Sequence, residues 1–312
     1  MKKVLITRRL PDIAKKILSK RFKVDQVKDN KPLSHEKLII AVQKYDAILS
    51  TVTEKFDRVL LSKSNKLKVI SNYAVGLDNI DIEYAESLGI ATYNTPDSVT
   101  NSTADHTIAL LLSLIRKIPD AITYVKNNKW GMWNPEIFIG EELKGKTLGI
   151  IGFGKIGQAV ALRAKGFGLR VIYYNHSTKE VDPAIKKFVK SLKFHEVLES
   201  SDYLSLHLPL TTKTKEMINK KIIQKMKKLP ILINMARGEI VNTDDLLIAL
   251  KNGDLRGAAL DVTNPEPLSG YHELCSLKNC IIVPHIGTAT SECRIDMARI
   301  AAENIYNHYE LG

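Results

Sequence analysis

Leu143–Gly157 reads LKGKTLGIIGFGKIG, and the fold turns on this stretch. The apolar run Leu148–Ile151 passes directly into Gly152-x-Gly154-x-x-Gly157, and a helical pattern continues through Phe167. A glycine triplet at this spacing is informative where it ends a strand and opens a helix inside a βαβ unit, as here. Gly152 permits the tight turn, Gly154 lets the backbone approach a pyrophosphate, and Gly157 lets helix and strand pack closely. The helix start then offers N–H donors and positive potential to phosphates.

Working outward, apolar β-branched runs alternate with helical periodicity. Val4–Thr7, Ala47–Thr51, Lys68–Asn72 and Ile90–Asn94 read as strands before the glycine turn, with the amphipathic stretch Ser34–Lys44 among them. Leu148–Gly152, Arg170–Asn175, Tyr203–His207, Ile231–Met235, Gly257–Val262 and Cys280–Pro284 form a second series. Continuous apolar strands separated by helices imply parallel sheets covered on both faces. Two series imply two α/β domains. Between them, Thr103–Lys117 reads as a long apolar helix with Asn101 and Ser102 as capping residues. A closing helix, Ser291–Tyr309, is expected to pack back on the first series and make that domain discontinuous.

The chain has 312 residues, of which 44% are hydrophobic and 26% charged, which excludes a disordered or fibrous protein. Apolar stretches such as Ile108–Ile115 fall short of the roughly 20 residues of a membrane span. Arg8 and Arg9 interrupt the N-terminal apolar run before a signal-peptide core forms, so a cytoplasmic protein is expected. The three cysteines, Cys275, Cys280 and Cys293, lack the spacing of a disulfide framework or zinc site, and no metal is expected. The net charge of +12 suits an anionic partner, but its lysines are dispersed without an arginine-rich arm, which argues against nucleic acid.

The strand Arg170–Asn175 ends where an NAD-binding fold usually places a carboxylate for the ribose 2′-hydroxyl. Here the run is Asn175-His176-Ser177-Thr178-Lys179. Ser177 can hydrogen-bond a 2′-phosphate, and Lys179 or a protonated His176 can supply charge. NADP(H) is therefore favoured, with NAD(H) left open through Asn175. Three polar groups follow later strands on the ligand-binding edge: Arg237, Glu266 and His285. Arg237 can grip a carboxylate and polarise an adjacent carbonyl. His285 can donate a proton to a carbonyl oxygen, with Glu266 favouring the imidazolium and orienting the ring. Read singly, each is equally a surface charge, a turn residue or a hydrogen-bonded loop histidine; their shared placement beside a dinucleotide fold favours a site.

The ordered motifs GFGKIG, NMARGEIV, ALDVTNPEP and PHIGTAT resemble the D-isomer-specific 2-hydroxyacid dehydrogenases. The resemblance spans nearly the whole chain and is strongest to the glyoxylate/hydroxypyruvate reductases, through Ile6–Pro11, Trp133–Gly140 and Ala164–Phe167. It implies two Rossmann-like, doubly wound domains: a flavodoxin-like substrate domain, 1–98 plus 288–312, and a dinucleotide-binding domain, 99–287. It implies Arg237, Glu266 and His285 as the catalytic set acting on a small 2-keto or 2-hydroxy acid. The Val75–Gly76 backbone would hold the substrate carboxylate, and Trp133 would limit the pocket, in some relatives across a homodimer interface. Lys155 and Ile156 would meet the pyrophosphate, while Leu208, Pro209 and Met235 line the cofactor path. Asp261 would hold the carboxamide, next to Gly287. NADP-preferring relatives often carry Arg where this chain has His176. Same-fold enzymes of phosphite, pyruvate or longer 2-keto acids remain alternatives. Glu266 in place of Gln argues against formate, and the retained catalytic side chains argue against a corepressor-like NAD(H) sensor.

Overall fold

The computed structural model describes residues 1–177 and 180–310. Its elements run β1 (Lys3–Ile6), α1 (Asp12–Leu18), β2 (Lys23–Gln26), α2 (His35–Lys44), β3 (Ala47–Ser50), α3 (Arg58–Leu61), β4 (Val69–Asn72), α4 (Ile82–Ser87) and β5 (Ala91–Tyr93). They continue as α5 (Thr100–Ile115), α6 (Ile118–Lys126), β6 (Thr147–Ile151), α7 (Lys155–Gly166), β7 (Arg170–Tyr174), α8 (Pro183–Lys186), β8 (Val189–Ser191), α9 (Phe194–Ser200) and β9 (Tyr203–Leu206). The rest are α10 (Lys220–Ile223), β10 (Ile231–Asn234), α11 (Thr243–Asn252), β11 (Gly257–Leu260), β12 (Cys280–Ile282) and α12 (Ser291–His308). Two compact units result, Met1–Val99 with Thr288–Gly312, and Thr100–Gly287.

In the first unit the sheet order is β2-β1-β3-β4-β5, all parallel, which is the flavodoxin-like order. The central strands β3 and β4 are buried along their whole length. The helix α12 packs on α1, β3 and β4, so the unit is closed by a segment from beyond the second one. Its buried Met297, Ala301 and Ile305 recur every four residues, beside Ala298 and Ala302, giving one apolar stripe.

The second unit carries the order β12-β11-β10-β9-β6-β7-β8, again all parallel. Side chains alternate between two cores because successive strand residues point to opposite faces. Leu148, Ile150, Tyr203, Ile231 and Ile233 enter one core with α5 and α7 residues; Ile151, Leu204, Leu206, Leu232 and Leu260 enter the other. Strand order reverses between β6 and β9, the switch point at which open α/β sheets bind ligands.

Three local expectations need correction. The strands β2 and β8 lie at sheet edges and are absent from the sequence-based series, because their charged, half-exposed residues lack an apolar run. Asn101 and Ser102 are not caps but lie inside α5, which already begins at Thr100. The helix expected to reach Lys117 stops at Ile115; Lys117 takes the left-handed conformation (φ 53°) and opens α6, with Pro119 in its first turn. Proline fits there because the first-turn amides have no intrahelical partner.

Leu204, fully buried on the central strand β9, is a direct probe of this packing. Leu204→Ala is expected to destabilise the protein by about 2–5 kcal/mol through lost burial and a residual cavity. The measurement is the urea midpoint against wild type.

Candidate active site

The glycine turn is set by close backbone approach. Gly152 adopts φ 93°, and a Cβ there would lie 2.4 Å from the carbonyl oxygen of His207, at the end of β9. A Cβ on Gly157 would lie 2.4 Å from the Gly152 carbonyl oxygen. Gly154 stands at the N-cap of α7 with no side-chain cap, followed by exposed Lys155 and half-buried Ile156. An uncapped helix start at the switch point of a parallel sheet fits a dinucleotide pyrophosphate.

Beyond β7, Asn175 Oδ1 accepts from the Phe153 amide at 3.2 Å, and its Nδ2 donates to the Ser177 carbonyl at 2.7 Å. Its side chain therefore ties the ribose-side loop to the glycine turn. His176 and Ser177 are exposed, and Lys179 lies outside the described residues. Leu208 is half-buried, Pro209 exposed and Met235 buried.

After β10 the backbone is pinned by Asn234, whose Oδ1 accepts from the Ala236 amide and whose Nδ2 donates to the Arg237 carbonyl. Arg237 Nη1 donates to the Ala236 carbonyl at 2.8 Å. A Cβ on Gly238 would lie 1.9 Å from the Thr263 carbonyl oxygen, so the Arg237 turn presses against the loop that follows β11. Thr263 Oγ1 donates to the Pro265 carbonyl and Thr243 Oγ1 to the Asn264 carbonyl, which fixes the loop carrying Glu266.

His285 follows β12, the neighbour of β11, in the left-handed conformation (φ 54°). Its Nδ1 lies 2.7 Å from Glu266 Oε1, with both side chains partly exposed. The His285 amide donates to the Asp261 carbonyl at 2.9 Å. The amides of Ile286 and Gly287 donate to Asp261 Oδ1 and Oδ2 at 2.7 and 2.9 Å. Burial pushes the Asp261 carboxyl up, but contact with His106 and these two amides outweighs it, so its pKa sits below the ordinary value.

Glu266 and His285 are thus in contact, and the Arg237 turn packs on the Glu266 loop. Val75 and Gly76 belong to the first unit, just after β4. There Asn72 Nδ2 donates to the Gly76 carbonyl at 2.9 Å, and Asn94 Nδ2 to the Val75 carbonyl at 2.8 Å. Trp133 follows α6 and is 80% exposed within the chain. Ser102, expected from the sequence to cap α5, and His106 both approach the Asp261–Gly287 region. Their only signal is a serine and a histidine one turn apart in the polar first half of α5. No group of three or more His, Cys, Asp or Glu able to hold a metal occurs among the described residues. Among the same residues, no helix is long and apolar enough to cross a membrane.

A uniformly parallel sheet with a glycine turn at its switch point, and a His–Glu pair on the same edge, is the arrangement of a dinucleotide-binding scaffold. Comparison with known proteins specifies it. Residues 108–287 match the profile described as D-isomer specific 2-hydroxyacid dehydrogenase, NAD binding domain. A glyoxylate reductase of Thermococcus litoralis is 45% identical over 97% of this chain and 92% of its own length. A crystal structure of a Thermus thermophilus protein superposes with a TM-score of 0.90 at 40% identity, covering 99% of this chain and 97% of that one. An NADPH-dependent glyoxylate/hydroxypyruvate reductase from Sinorhizobium meliloti, solved with NADP and malonate, gives a TM-score of 0.86 at 26% identity over 99% and 93%. The chain belongs to the D-isomer-specific 2-hydroxyacid dehydrogenase family. It is an NAD(P)H-dependent reductase with a nicotinamide cofactor.

His207 connects this edge to stability. Its Nε2 lies 2.7 Å from Ser205 Oγ, while Nδ1 is enclosed without a hydrogen-bond partner. Burial lowers its pKa from 6.5 to about 3. Between those values the unfolded chain binds a proton that the folded chain does not, so stability falls on acidification through that window. The urea midpoint of wild type should drop from pH 7 to pH 5, and His207→Gln should flatten that drop.

Proposed function

We propose that the protein reduces glyoxylate or hydroxypyruvate to the D-2-hydroxy acid, using NADPH in preference to NADH. The observation that carries this reading is the 2.7 Å contact between His285 and Glu266 on the ligand edge of a dinucleotide-binding sheet. A bound nicotinamide would supply the hydride that the keto carbon accepts. Protonated His285 delivers a proton to the keto oxygen, and Glu266 holds the ring in place and stabilises its charge. Arg237 engages the substrate carboxylate and polarises the carbonyl. Val75 and Gly76 hold that carboxylate through their backbone, and Trp133 bounds the pocket. In this reading residues 1–98 with 288–312 bind substrate and residues 99–287 bind cofactor.

Gly152, Gly154, Lys155, Ile156 and Gly157 would cradle the pyrophosphate, with Leu208, Pro209, Met235, Asp261 and Gly287 along the cofactor path. The run Asn175-His176-Ser177-Thr178-Lys179 contains no carboxylate and so tolerates a 2′-phosphate. The names of the Thermococcus and Sinorhizobium relatives support the substrate class, and the latter's also the cofactor. Free cysteines fit a reducing cytoplasm.

We also assign the working form as a homodimer. Ile118, Ile122 and Val125 stand exposed on α6, and Trp130, Met132, Trp133 and Ile139 stay exposed beyond it. An apolar patch of this kind marks an association surface.

Purified protein should oxidise NADPH with glyoxylate or hydroxypyruvate, and His285→Ala should lower kcat by about 10²–10⁴ while cofactor affinity stays nearly unchanged. No turnover with any 2-keto acid, or a clear preference for NADH, would overturn the corresponding part. Light scattering after gel filtration should give twice the chain mass, and Ile122→Glu with Val125→Glu should shift it toward monomer.

A further inference from the structure

We propose that Ser102 and His106, on one face of α5, are positioning residues for His285, acting through Gly287 and Asp261. The inference rests on the reading of His285 as proton donor. A left-handed backbone is uncommon for a residue with a side chain, so the surroundings must hold it. One residue does most of that. Asp261 receives three successive amides: His285 on its carbonyl, Ile286 on Oδ1 and Gly287 on Oδ2.

The helix α5 grips both halves of this clamp. Ser102 Oγ donates to the Gly287 carbonyl at 2.8 Å, and His106 Nε2 lies 3.3 Å from Asp261 Oδ1. Residues four apart share a helix face, so one rigid element holds the carboxylate and the chain it binds. Ser102 is buried and the His106 side chain only 18% exposed; His106 Nε2 has no hydrogen bond of ordinary geometry, and Asp261 is the anion it faces. With its proton on Nε2, the ring supplies a donor to a carboxylate that is 3% exposed. Packing alone does not call for a histidine, since Ile108, Leu111 and Leu114 already bury the helix in the core. The clamp has no slack: a Cβ on Gly287 would lie 2.8 Å from Asp261 Oδ2 and 3.1 Å from Met235 Cε.

The test compares His106→Leu, which keeps bulk without a donor, His106→Gln, which keeps a donor, and Ser102→Ala, with His285→Ala in parallel. Turnover with glyoxylate is read beside NADPH affinity, measured by fluorescence titration. His106→Leu and Ser102→Ala should each lower kcat by about tenfold to a hundredfold, the scale of small misplacements of a reacting group. NADPH affinity should hold, and His106→Gln should recover most of the rate. Wild-type turnover in both His106→Leu and Ser102→Ala, with His285→Ala inactive, overturns the positioning role alone. So does an equal loss in His106→Gln and His106→Leu, or a loss confined to NADPH affinity. Full activity in His285→Ala overturns the underlying reading and this inference with it. Should His106→Leu fail to fold, Ser102→Ala decides, wild-type turnover overturning the role.

Discussion

A buried carboxylate has to be satisfied, and that requirement shapes the site. Asp261 ends the path of β11 at 3% exposure, where an unpaired charge is strongly unfavourable. The donors available are the amides of the segment leaving β12, and each of them turns toward it. Meeting that demand bends the chain away from the strand direction at His285 and places the ring against Glu266. The geometry of the His285–Glu266 pair is thus a by-product of local charge neutralisation, held by hydrogen bonds to ionised groups, which are stronger than neutral ones.

Elsewhere on the same edge, steric exclusion plays the corresponding part. Gly152, Gly157, Gly238 and Gly287 each stand where a methyl group would strike a neighbouring backbone or carboxylate. The absence of side chains lets the loop after β6 close on the end of β9, and the loops after β10 and β12 close on the segment that follows β11. The first unit solves a similar problem with amides instead. Asn72 bridges Ser50 and the Gly76 carbonyl, and Asn79 bonds the carbonyls of Thr51 and Glu54. Glu54, 1% exposed, is in turn held by Thr7 and Thr51. Both sheets therefore present a stiff loop cluster at their carboxyl ends.

What can be read from the residues follows from what leaves a local trace. Central strands are legible because burial on both faces forces runs such as Leu148–Ile151 and Tyr203–Leu206 to be apolar throughout. The edges β2 and β8 carry exposed residues such as Lys23 and Lys190, and a strand of that kind looks like a loop. The glycine turn is legible because its geometry admits almost no other residue. Glu266 and His285 meet because β11 and β12 are neighbours, and that adjacency can be guessed from strand succession. The Asp261 clamp cannot, because it is built largely from backbone amides, which every residue has. The polar pair on α5 is visible in the sequence but points elsewhere: Ser102 resembles a cap, and only the start of α5 at Thr100 shows that it lies inside the helix.

The return of α12 to the first unit has a bearing on how the molecule is born. Synthesis runs in one direction, so the strands β1 to β5 emerge before the helix that covers β3 and β4 exists. Until then the surface awaiting Met297, Ala301 and Ile305 faces the solvent or a chaperone. The segment Thr100–Gly287 is contiguous and owes no such wait, so on the ribosome it can mature while its elder neighbour stays unfinished. The part made first is the part completed last.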